Sequence, residues 1–181
     1  MEQFTKFRTS SLDISSLGLE TGLSKSSIGC TPLDAKIVAW STEDKNLHFC
    51  IIPHLGSTVF AVDPAAPPGD TVHPVAKHIS DFIGLICACR SASLVARAYQ
   101  YSETYFDAQR ACIDISEKTA RVLKALENIY CPEMHTNPYR HMIELQMNFD
   151  YSKIPLDPSY FDICPVRPGA FKWPYSYNTG F

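Results

Sequence analysis

Three short apolar runs within residues 35–62, AKIVAWS, LHFCII and TVFAV, are followed by one strongly apolar stretch, HISDFIGLICAC. That succession constrains the fold more than any other feature of the chain. Polar residues 43–46 and the Leu55-Gly56-Ser57 break are short connections of the kind that join antiparallel neighbours, so the runs read as a three-strand meander. The first run is apolar at both parities, which predicts a strand covered on one face and partly covered on the other. Residues 63–70 (DPAAPPGD) hold three prolines and a glycine and cannot continue a ladder. His73 precedes Pro74 and is expected to be extended, because the residue before a proline avoids the helical region. A helix is predicted to start near His78 or Ser80. In it Ile79, Phe82, Ile83, Ile86 and Cys89 recur at spacings of three and four and make a wide apolar stripe.

More helices follow. Residues 91–99 read as a short one. Ser102 is an N-cap for ETYFDAQRAC, and Ser116 caps EKTARVLKALENIY, with Val122, Leu123, Leu126 and Ile129 or Tyr130 facing inward. Pro132 ends that helix. Asn137 followed by Pro138 marks the next N-terminus, opening YRHMIELQM. The expected architecture is α+β: an antiparallel sheet of short strands with several helices on one side. Residues 1–30 read as an arm or short helix and residues 163–181 as an aromatic tail, all within a single domain spanning residues 1–181.

A chain of 181 residues can bury about 70% of its unfolded surface. The net charge of −3 lacks the basic excess that a duplex-binding surface carries, so nucleic acid is not the expected ligand. No run of 18 uncharged apolar residues marks a membrane span, and the N-terminus lacks a secretory apolar run. Seven cysteines without an export signal are expected to be buried, reduced thiols in a cytoplasm.

No arrangement of chemically able residues stands out. Among His48, His54, His73, His78, His135 and His141 there is no His-Glu-x-x-His pair and no cysteine at zinc spacing. Surface imidazoles and buried thiols are expected, not a metal site or a cofactor. Cys50 and Cys112 lack the setting of a nucleophile. No phosphate-cradling glycine motif and no nucleophile elbow occurs. In the tail, Phe171, Trp173, Tyr175 and Tyr177 alternate, which places four aromatic rings on one face of an extended segment. Either they cover an apolar patch of their own domain, or they form a docking surface.

The order TVFAVDP, VHPVAKHISDFIGLICAC and a helix around YSETYFDAQ resembles the SUKH superfamily. CTPLDAKIVAW, LHFCII and a late FDYSKIP segment resemble a group of bacterial proteins related to it. The likeness spans residues 30–162, and its motifs are structural, not catalytic. It implies an α+β fold and a non-enzymatic protein-binding role, as in immunity proteins that block a co-encoded toxin, often a nuclease. Partner contact is then expected at Trp173, Tyr175, Tyr177, Asp70 and His73. The alternatives are a small cytosolic enzyme with a site assembled from His54, His73, Asp70 and Tyr105, or an oligomer-forming module, for which a homodimer is the simplest case.

Overall fold

The two-parity apolar runs fold into one antiparallel sheet, described by a computed structural model covering residues 2–21 and 28–170. Among the described residues the strands are β1 (Leu19–Glu20), β2 (Lys36–Ser41), β3 (His48–Ile51), β4 (Val59–Val62) and β5 (Val72–Ala76), paired in chain order. The expected three-strand meander is thus extended at both edges. Pro74 sits in edge strand β5, where a missing N–H is tolerated. The helices are α1 (Glu2–Arg8), α2 (Ile79–Cys89), α3 (Ala92–Ala96), α4 (Glu103–Cys112), α5 (Glu117–Tyr130), α6 (Pro138–Met147) and α7 (Tyr160–Ile163). The fold is α+β, as expected. Trp173, Tyr175 and Tyr177 lie outside the described residues.

The caps form as the sequence predicts. Ser102, Ser116 and Asn137 accept the backbone N–H groups of Tyr105, Thr119 and Arg140. Helix α2, expected to start near His78 or Ser80, begins at Ile79 with His78 as its cap, whose Nδ1 accepts the Asp81 N–H. On α5 the inward face is Val122, Leu126 and Tyr130, whereas Ile129 is exposed.

Alternating side chains divide the interior in two. Phe49, Ile51, Val59, Ala61 and Val75 face α2, and this larger core takes in α1, α5 and α6. Cys50, Ile52, Phe60, Val62 and Val72 face the other way, onto Ile154, Tyr160 and Cys164. Helices crowd one face, as expected, but the second face is closed too, by residues 149–164 with a 3-10 turn at Tyr151–Lys153 and the short α7. Strands apolar at both parities leave no side that water can occupy cheaply.

Phe82 is the centre of the larger core. Its ring lies 4.8 Å from that of Phe49 in the sheet and 6.3 Å from that of Phe7 in α1, and it has no exposed surface. Five cysteines, Cys30, Cys50, Cys87, Cys89 and Cys164, are buried, while Cys112 and Cys131 are exposed. Burial pushes the Cys50 thiol up to about 12, which makes it inert. Two polar ties pin the periphery. Arg97 bridges Asp44 at 2.7 Å and Asp63 at 2.8 Å. Fully buried His48 donates from Nδ1 to the Asn46 carbonyl at 3.0 Å, leaving Nε2 to accept the Thr31 hydroxyl at 3.1 Å.

Two outcomes follow from this packing. Truncating Phe82→Ala should lower the unfolding free energy by about 3–5 kcal/mol in urea titrations, and a loss below about 1 kcal/mol would contradict its central place. Burial also lowers the His48 pKa from 6.5 to about 4. Between those values the unfolded chain binds the proton and the folded chain does not, so stability falls as pH drops through that window. The loss should be on the order of 3 kcal/mol. Urea midpoints at neutral and acid pH should differ less for His48→Gln than for the native chain.

Candidate functional site

The outer side of β5 is where the two covering layers meet, and they do not close on each other. Helix α6 lies on β5, and past Met147 the chain turns through Phe149 onto the second face of the sheet. Between α6, the Gly69-Asp70 turn and residues 167–170 lies a cavity of ≈ 540 Å³. Gly169 makes its wall possible. It donates to the Gly69 carbonyl at 2.8 Å with φ +72°, and a Cβ there would strike the Tyr151 ring.

Two of the residues expected at a partner surface, Asp70 and His73, line this cavity. His73 is only 3% exposed, and its ring nitrogens face two carbonyl oxygens, Asp70 at 2.9 Å and Ala96 at 2.7 Å. A neutral ring can donate to one of them only. Desolvation outweighs both carbonyls and Asp63 and holds His73 below the ordinary histidine value. His73 is therefore committed to holding the main chain together, not poised as a base. His54, on the exposed turn after β3, and Tyr105, 52% exposed on α4, do not line the cavity. The four residues considered for an enzyme site are not brought together there.

Gln146 is the unusual member of the lining. It is 3% exposed, yet neither its Nε2 nor its Oε1 has a hydrogen-bond partner. A buried amide left unpaired costs about 1–3 kcal/mol, and such groups are rare in folded chains. Around it stand Phe149 and Tyr151, Met147 at 59% exposure, and the charges of Asp150 and Arg167. The sequence offered no sign of this, since Gln146 reads there as one polar residue near a helix end. A second cavity of ≈ 750 Å³, between α1 and the start of α2, contains no such orphaned group.

The histidines depart from the expectation of surface imidazoles. Only His54 and His78 are exposed; His48 and His73 are buried in the sheet, and His135 and His141 are part-buried. The last two meet Asp81 of α2, with His135 Nε2 at 2.7 Å from Oδ1 and His141 Nε2 at 2.9 Å from Oδ2. Sequence spacing missed this group because the acid stands in a different helix, and the imidazoles straddle the α6 cap six residues apart.

No helix among the described residues is long and apolar enough to cross a membrane. No family model, no curated protein and no solved structure matches this chain. The likeness to the SUKH superfamily thus rests on the sequence motifs quoted above.

Replacing Gln146 with leucine removes the unpaired amide at little change in volume. Gln146→Leu should leave the thermal midpoint unchanged or raise it, by up to about 1–3 kcal/mol of stability. A clear fall would mean that the amide has partners within the fold.

Proposed function

We propose that this protein is a non-enzymatic binding module that captures another protein at the cavity beside β5. The observation that carries this reading is the unpaired, buried amide of Gln146. An amide with one free donor and one free acceptor matches the donor and acceptor of a polypeptide amide, which an inserted loop of a partner presents. The apolar rings and Met147 suit the body of such a loop, and Asp150 and Arg167 suit its polar flanks.

The SUKH likeness supports the finer reading: an immunity-type module that covers the working surface of a toxin, steric in mechanism and acting in the reducing cytoplasm where buried thiols persist. Charge steers such an encounter only weakly at a net charge of −3.

The test is a quantitative capture from extract of the source cells with native and Gln146→Leu baits in parallel. A polypeptide retained by the native bait and depleted at least tenfold on the variant bears the proposal out. Equal capture by both baits, or a small-molecule adduct on the native chain in native mass spectrometry with no protein partner, would overturn it.

A further inference from the structure

We infer that Asp81, His135 and His141 form a binding site for a divalent first-row transition ion, with zinc the best fit. This site is separate from the cavity beside β5. Its three side chains come from three places that the fold fastens independently. Asp81 is in the first turn of α2, where its own N–H goes to His78 and its Oδ2 takes the Lys77 N–H at 2.6 Å. His141 is in the first turn of α6, anchored by the Asn137 cap. His135 is on the connection between α5 and α6. That connection lies directly on α2, because residue 84 is glycine: a Cβ there would collide with the Glu133 carbonyl oxygen. Gly84 and Asp81, three residues apart, share a face of α2, so the same close approach that needs the glycine sets His135 against the acid.

His141 Nε2 and Asp81 Oδ2 are hydrogen-bonded at 2.9 Å, whereas the His135 contact is left open. Asp81 Oδ1 and His135 Nε2 approach to 2.7 Å, yet both are buried atoms without an aligned hydrogen bond. The imidazole rings are tilted at 37° with their centroids 4.1 Å apart, and the three ligand atoms fall within 4.8 Å of one another. One ion bound at about 2.0–2.2 Å from each would sit among the three after side-chain adjustment.

Two imidazoles and one carboxylate suit zinc and its first-row neighbours, and disfavour calcium and magnesium, which take all-oxygen shells. The Asp81 side chain is 1% exposed and that of His141 is 17%, so solvent reaches the cluster from the His141 side, where water can complete the coordination. A bound ion would clamp α2, α6 and their intervening connection, and so stabilise the native state.

The test uses the full chain, stripped with a chelator and reloaded with zinc chloride. One tightly held zinc per chain, a raised thermal midpoint, and at least a hundredfold weaker uptake by His135→Ala/His141→Ala are expected. Gly84→Ala, which retains every ligand but pushes the connection away, should also weaken zinc. Should the double variant fail to fold, cobalt substitution in the native chain decides: d–d bands without a thiolate charge-transfer band are expected. Failure of the native chain to take up zinc, equal uptake by the folded double variant, or a thiolate band pointing to Cys112 or Cys131 would overturn the assignment.

Discussion

Helix α2 is apolar around most of its circumference, and the sheet and helices α1, α3, α5 and α6 pack against it. Nine of its eleven residues are buried, from Ile79 to Cys89. A helix of that kind has no stable place at a surface and must lie between two layers. The sheet supplies one through Phe49, and α1, α5 and α6 supply the other, with Phe7 reaching both Phe82 and Tyr130. The larger core is the result.

That constraint also creates the molecule's most unusual polar group. Asp81 is the only charged residue of α2, and the outer layer shuts it from water. A buried carboxylate has to find donors or a cation. The fold supplies one main-chain N–H and two imidazoles, delivered by a connection that reaches α2 only because Gly84 has no side chain.

The sheet generates the other site by a similar logic. Because its strands are apolar on both faces, a second cover is required, and the chain after α6 crosses the β5 edge to make it. The crossing leaves a seam, and Gln146, at the end of α6, is caught in that seam with no partner for its amide. His73 shows the contrary case. It lines the same cavity, but its ring nitrogens face main-chain carbonyls and not the opening.

Local order was legible in the residues themselves. The strand runs, the extended residues around Pro74, the caps at Ser102, Ser116 and Asn137 and the stripe of α2 depend on neighbours within a few positions, where periodicity and cap chemistry act. What escaped was long-range. Asp81 reads in the sequence as a helix-start acid, and His135 and His141 as scattered imidazoles; only the packing of α6 and its connection onto α2 brings them within bonding distance. Gln146 likewise looks like an ordinary helix-end polar residue until β5 and residues 167–170 enclose it. Sequence alone therefore determined the central strands, the capped helices and the burial of α2, because these follow from local pattern. Tertiary structure alone decided which polar groups were left facing one another without water, because that depends on where separate layers meet.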